Sequence, residues 1–154
     1  MQNRIAVFPG SFDPVTIGHA DIVNRTAGLF DKIIIAVGVN TQKKTLFSLD
    51  QRIAWLEKTF EHLTHVEVAS YQGLTVDFCK SKNANYILRG LRNSSDFNYE
   101  THIAQLNTNL DSEIETVFVL TSPELSYISS TLIRDLIIHK GEYKKYLPEG
   151  IQIN

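Results

Sequence analysis

Residues 4–39 read RIAVFPGSFDPVTIGHADIVNRTAGLFDKIIIAVGV, and the fold follows from how this stretch divides. Residues 4–8 are a short apolar run ended by Pro9-Gly10. Residues 32–39 are a continuous β-branched run of the kind found in strands buried on both faces. Between them Ile22, Val23, Thr26, Ala27 and Phe30 recur at helical spacing, which predicts a crossover helix over residues 18–30. Strand, helix, strand is a βαβ unit, so the two strands are parallel and central.

The pattern continues outward. Ser48 and Gln51 form a capping box, after which Ile53, Leu56, Phe60 and Leu63 mark the inward face of a second helix, with Trp55 at its flank. Further strands are expected at 66–69, 86–88 and 116–120, separated by helices at about 74–83 and 96–109, and a last helix runs from near Ser130 to His139. Five strands alternating with five helices predict an α/β protein with an open, five-stranded, Rossmann-like parallel sheet covered by helices on both faces. No repeat, low-complexity tract or Pro/Ser-rich linker interrupts the 154 residues, which are read as a single domain, 1–154. Ligands of such sheets lie beyond the carboxyl ends of the strands, where strand order reverses.

Composition narrows the ligand. Hydrophobic residues make up 43% and charged residues 21%, ordinary for a folded domain, and the formal net charge of −2 gives no global field to attract nucleic acid or an anionic membrane. Phosphate must therefore be held by locally placed donors, which suits a mononucleotide and not a polynucleotide. The single cysteine, Cys79, cannot close an intramolecular disulfide and reads as a small buried hydrophobe. The apolar run at 5–8 is too short for a signal peptide and no run could span a bilayer, so a cytoplasmic location is expected.

Three segments put phosphate-binding chemistry at strand ends: 9–19, 89–100 and 125–131. The first delivers His19 onto the first turn of the crossover helix, beside unpaired amides where an imidazole can hydrogen-bond a phosphate oxygen as charge grows on it. Gly18 allows close approach there and Ser11 adds a hydroxyl. Read without further context, Lys43 and Lys44 are solvated loop charges, Arg89 could be an ion-pair partner, Glu100 is an exposed helix carboxylate, and Ser129, Ser130 and Thr131 are helix caps. His62, His65, His102 and His139 lack zinc-like spacing and read as surface or packing residues.

Residues 9–19, PGSFDPVTIGH, closely resemble the signature of nucleotidyltransferases that carry a T-x-G-H or H-x-G-H motif. Arg89-Gly90-Leu91-Arg92, then Asp96-Phe97 and Tyr99-Glu100, are similar to the R-G-L-R-x-x-x-D-F-x-Y-E string of the phosphopantetheine adenylyltransferases. Ser126-Tyr127-Ile128-Ser129-Ser130-Thr131 resembles that family's S-F-I-S-S-S or S-F-I-S-S-T motif. The similarity covers roughly residues 4–148. It departs at Leu125, where many relatives carry tryptophan, at Tyr127, where phenylalanine is usual, and in ending at Asn154, earlier than relatives with a further C-terminal helix.

The resemblance implies the nucleotidyltransferase fold and a reaction in which the phosphate of 4′-phosphopantetheine attacks the α-phosphorus of ATP, giving 3′-dephospho-coenzyme A and pyrophosphate without a covalent enzyme intermediate. His19 would stabilise the transition state, Ser11 would touch the attacking phosphate, Phe12 would lie against ATP with Ser11, and Lys43 would bridge both reactants' phosphates. Arg89 would hold the phosphopantetheine phosphate and Thr75 the pantetheine arm. Gly90, Leu91, Arg92, Glu100 and the run Leu125, Ser126, Tyr127, Ile128, Ser129, Ser130 and Thr131 would face ATP. Mg²⁺ carried mainly by the phosphates, a homohexamer of two stacked trimers, and feedback inhibition by coenzyme A are further implications. Two other readings stay open on the sequence: adenylyl or cytidylyl transfer to another phosphorylated acceptor, such as nicotinate mononucleotide or glycerol 3-phosphate, and a noncatalytic nucleotide sensor.

Overall fold

The computed structural model describes residues 3–153. In chain order the elements are β1 (Ile5–Gly10), α1 (Ile17–Thr26), β2 (Lys32–Gly38), α2 (Leu49–Phe60), β3 (Val66–Tyr71), α3 (Thr75–Ser81), β4 (Tyr86–Leu91), α4 (Ser94–Leu110), β5 (Glu115–Leu120) and α5 (Ser130–Ile138). Short 3₁₀ turns follow β5 and α5. The strands form one parallel sheet in the order β3-β2-β1-β4-β5.

Alternation along β2 builds both faces of the core. Ile33, Ile35 and Val37 join Ala6, Phe8 and Leu88 beneath α1 and α2, which contribute Ile22, Val23, Leu56 and Phe60. Ile34 and Ala36 point the other way, onto Val7 and Ile87 and onto Val76 and Cys79 of α3. Each fully buried isoleucine contributes roughly 1.5–3 kcal/mol relative to exposure, so the β-branched run that predicts β2 is also what fixes it between two layers. A third cluster, Ile128, Ile133, Leu147 and Ile151, fastens the C-terminal segment against α5. No helix among the described residues is long and apolar enough to cross a membrane.

Element boundaries shift for identifiable reasons. β1 continues through Pro9 and Gly10 because β2 still pairs with it there, Pro9 with Ala36 and Gly10 with Val37. β4 pairs with β1 only at Ala6 and Val7, so the sheet splits above Val7, and the missing N–H of Pro9 falls on the split side where no strand requires it. β4 extends three residues beyond the expected 86–88, since Arg89, Gly90 and Leu91 pair with Phe118, Val119 and Leu120. A Cβ at Gly90 would sit 3.2 Å from the Ile22 side chain, so glycine lets α1 lie close on the sheet. α1 ends at Thr26, not residue 30; the Thr26 hydroxyl donates back to the Ile22 carbonyl at 2.7 Å. α4 starts two residues early because Asn93, accepting from the Asp96 amide at 2.9 Å, is its cap.

Candidate active site

β1 is the strand from which the chain order runs outward in both directions, and its split from β4 opens a crevice at the carboxyl edge of the sheet. Two hollows of about 340 and 300 Å³ adjoin there and share Pro9, Gly10, Ser11, Lys43, Arg89 and Glu100. Each is large enough for a small ligand. The first extends past Asn40, Tyr71, Thr75, Ile103 and Asn107. The second extends past His19, Arg92 and the start of α5 to Arg134.

His19 is the third residue of α1 and completes its cap. Thr16 Oγ1 accepts from the His19 amide at 3.3 Å, and the Thr16 amide donates to His19 Nδ1 at 3.0 Å. A ring nitrogen that accepts from an amide carries no proton, so the neutral imidazole holds its proton on Nε2. Burial, with the positive charges of Arg89 and Arg92, pushes the His19 pKa down to about 4. His19 is thus an uncharged Nε2–H donor at neutral pH. The Phe12 ring supports it edge-on at 5.0 Å and itself packs on Phe8 at 5.6 Å. That ring occupies the space a Gly10 Cβ would need, at 3.0 Å.

Lys43 Nζ donates to Ser11 Oγ at 3.1 Å, bringing together two side chains 32 positions apart. Asp13 makes this possible: its buried carboxylate accepts the amides of Leu46 and Phe47, both at 2.9 Å, and so moors the loop carrying Lys43. Behind Ser11, Arg52 of α2 donates to the Ser11 carbonyl at 2.7 Å.

Arg89 lies within β4 and its guanidinium is fully oriented. Nε and Nη2 donate to Glu100 at 2.8 and 2.5 Å, and Nη1 reaches across the split to the Pro9 carbonyl. Glu100 is therefore not the exposed helix carboxylate expected from the sequence; it is 7% exposed and is the only buried residue of α4 among those described. Arg92 pairs with Asp96 at 2.9 and 3.1 Å. Partial burial opposes ionisation of Asp96, but the hydrogen bonds from Arg92 outweigh it and hold that carboxyl below its ordinary pKa.

At α5, Ser129 is the cap, accepting from the Leu132 amide at 3.1 Å, while the Ser130 hydroxyl donates to the Pro14 carbonyl at 2.8 Å. The capping reading of these residues is correct, and it leaves the first-turn amides of Ser130 and Thr131 without intrahelical partners. Ile128, Ser129, Ser130 and Thr131 line the second hollow, with Phe12, His19, Gly90 and Arg92. Thr75 lines the first, its hydroxyl 2.9 Å from that of Tyr71. Leu91, Leu125, Ser126 and Tyr127 line neither. Leu91 is buried, Leu125 packs on the third core cluster, the Ser126 hydroxyl donates to the Pro123 carbonyl, and the exposed Tyr127 ring meets Tyr146 edge-on at 6.1 Å. Among the described residues no cluster of three His, Cys, Asp or Glu could hold a metal ion, and both carboxylates at the crevice, Glu100 and Asp96, are engaged by arginines. Burial pushes the Cys79 thiol up to about 12, which makes it inert.

Three polar residues escaped the sequence reading. Arg134 lines the second hollow and donates to the Asp13 carbonyl at 2.7 Å and to Thr131 Oγ1 at 3.0 Å; its place one turn after Thr131 was the available signal. Arg52 was detectable as a charge on the stripe that buries Leu56. Asp13 sits in a turn-like string and gave no signal of its mooring role.

A parallel sheet with its crevice at the reversal of strand order, a neutral imidazole on a helix start and cations at the seam of two hollows define a nucleotidyltransferase-type α/β protein. Residues 7–136 match the cytidylyltransferase-like family model. Phosphopantetheine adenylyltransferase of Flavobacterium johnsoniae is 50% identical over 150 residues, covering 97% of this chain and 98% of that protein. The proteins of that name from Cytophaga hutchinsonii and Clostridium perfringens are 51% and 45% identical, covering 97% and 96% of this chain and 100% and 90% of theirs. The chain belongs to the phosphopantetheine adenylyltransferase family.

Proposed function

We propose that this protein transfers the adenylyl group of ATP to 4′-phosphopantetheine, giving 3′-dephospho-coenzyme A and pyrophosphate. The observation that carries this reading is the seam: two ligand-sized hollows meet at Ser11, Lys43 and Arg89, where two anionic reactants must be brought together. The first hollow takes the pantetheine arm along Tyr71, Thr75 and Asn107. The second takes ATP, with its triphosphate at Arg92, Arg134 and the α5 amides.

An oxygen of the acceptor phosphate forms a bond to the α-phosphorus as the bond to the bridging oxygen breaks, and pyrophosphate leaves with that electron pair. Catalysis then consists of positioning and charge stabilisation. His19 donates Nε2–H to a non-bridging α-phosphate oxygen, and its neutrality lets it do so without giving up a proton. Lys43 spans the reacting phosphates, and Ser11 fixes the attacking one. Arg89 offers its remaining N–H groups to the acceptor phosphate while Glu100 keeps it aimed. Mg²⁺, which balances the charge of ATP, would be held by phosphate oxygens and water, since the crevice carboxylates are engaged.

The protein works in the cytoplasm as a homohexamer, with coenzyme A as a feedback ligand of the same crevice. Support for assembly comes from α4, which leaves Phe97, Leu106 and Leu110 exposed, and from Leu120 on the edge strand β5. Light scattering that gives a mass near one chain, 17.4 kDa, refutes the hexamer. For the reaction, purified protein is incubated with Mg-ATP and each candidate acceptor while pyrophosphate is followed. Release with 4′-phosphopantetheine alone is expected and is abolished by chelation. Release with nicotinate mononucleotide or glycerol 3-phosphate instead, or nucleotide binding without release, overturns the reading.

A further inference from the structure

Three charged side chains among the described residues are buried: Asp13, Arg52 and Glu100. Glu100 takes the fork of Arg89, and Asp13 takes two amides with Arg134 at 3.8 Å. Arg52 differs. It is 4% exposed and donates only to carbonyls, to Ser11 at 2.7 Å and to Ser48 at 3.4 Å. Among the described residues no carboxylate lies within 4.0 Å of it. Its position in the first turn of α2 adds to the oddity, because the helix start already carries partial positive charge. A buried cation without a counter-ion costs stability, and apolar residues commonly replace such groups without loss.

The location of this charge supplies a reason to keep it. Arg52 lines neither hollow but grips the backbone of Ser11, which lines both and whose hydroxyl receives Lys43. We propose that Arg52 is a positioning residue that holds Ser11 at the seam, and that its counter-ions are the anionic reactants themselves. The empty protein bears an unbalanced charge, and seating the phosphates balances it. The inference rests on the reading of two anionic reactants given above.

A peg that merely holds the fold and a charge awaiting its counter-ion respond differently to substitution. Arg52→Met removes both charge and donor, Arg52→Gln keeps a donor for the Ser11 carbonyl without the charge, and Arg52→Lys keeps the charge. The expected result is that Arg52→Gln melts at or above the wild-type temperature without ligand, yet loses a measurable part of the upward shift that pyrophosphate gives the wild type, the rest coming from Arg92, Arg134 and the α5 amides. Its kcat/KM falls roughly tenfold or more, the scale of one unit charge about 10 Å away at an effective dielectric constant near 20, and Arg52→Lys recovers part of it. Arg52→Met, which also strips the Ser11 carbonyl of its donor, loses more of kcat/KM and of the pyrophosphate shift than Arg52→Gln does. If Arg52→Gln shows wild-type kcat/KM and a wild-type pyrophosphate shift, or melts lower without ligand while retaining that shift, the proposal is overturned. Should Arg52→Met fail to fold, Arg52→Gln carries the same decision. The pyrophosphate shift does not depend on which acceptor the enzyme uses, so a wrong acceptor shows up separately, as wild-type protein that responds to pyrophosphate but does not turn over phosphopantetheine.

Discussion

The two walls of the crevice hold their cations in opposite ways. On the wall made by β4 and α4 each guanidinium has its own carboxylate, Arg89 with Glu100 and Arg92 with Asp96. On the wall made by β1, the loop after β2 and α2, Lys43 meets a hydroxyl and Arg52 meets only carbonyls. A guanidinium in a bidentate pair is precise in direction, but its field is largely cancelled until another anion competes for it. An unpaired cation is less constrained and acts at a distance, at some cost in stability. On the proposed reading, one wall aims the reactants and the other attracts them.

The comparison is tested most severely at Arg89. Arg89→Ala strands Glu100 in a site where it is 7% exposed, and removing one partner of such a pair costs about 3–5 kcal/mol. Urea unfolding should show that loss, and the apparent KM for phosphopantetheine should rise. Neutralising Arg52 on the opposite wall should not destabilise the empty protein at all, so the two arginines are expected to differ in the sign of their effect. Equal losses at both would erase the distinction between the walls.

Next in size is the group between them. His19→Ala removes one preorganised donor and should lower kcat by about 10²–10³-fold, or about 2.7–4 kcal/mol, with KM little changed. Steady-state kinetics decide it. A variant with near-normal kcat would leave charge alone, supplied by both walls, as the source of catalysis.

His19 also makes stability depend on pH. Its pKa falls from an ordinary 6.5 to about 4 on folding, so between those values the unfolded chain binds a proton that the folded chain refuses. Stability is therefore full above pH 6.5 and is lost as the pH drops toward 4, by about 3 kcal/mol in all. Unfolding midpoints of wild type and His19→Ala, compared from pH 7.5 to 4, should converge at the acid end. Parallel curves would mean that the imidazole is not held neutral.

How much of this was legible in the sequence depended on whether a feature is local. Periodicity gave β2, the Ser48–Gln51 capping box and the start of α5, because each is determined by residues within a turn or a strand of one another. The loop from Pro9 to His19 was legible as phosphate chemistry for the same reason. Pairings across the sheet were not: the extension of β4 through Leu91 depends on β5, and the burial of Glu100 depends on Arg89, 11 positions away. Arg52 and Asp13 stayed hidden because their partners lie 41 and 33 or more residues distant. Leu125, Ser126 and Tyr127 sit beside residues that line the crevice, but the 3₁₀ turn directs them to the C-terminal cluster and the surface.

The smallest expected effect sets the lower bound of the contrast. Asp96 pairs with Arg92 at the rim, where both side chains are partly exposed, and it also sits in the first turn of α4, where a carboxylate favours the helix. Asp96→Asn should cost about 1 kcal/mol or less in unfolding free energy. It also frees Arg92, the paired cation nearest the proposed triphosphate seat, so the KM for ATP should fall slightly, and that fall should be greatest at low salt. If KM rises instead, orientation of Arg92 matters more than its charge, and the aiming role of this wall extends to the rim.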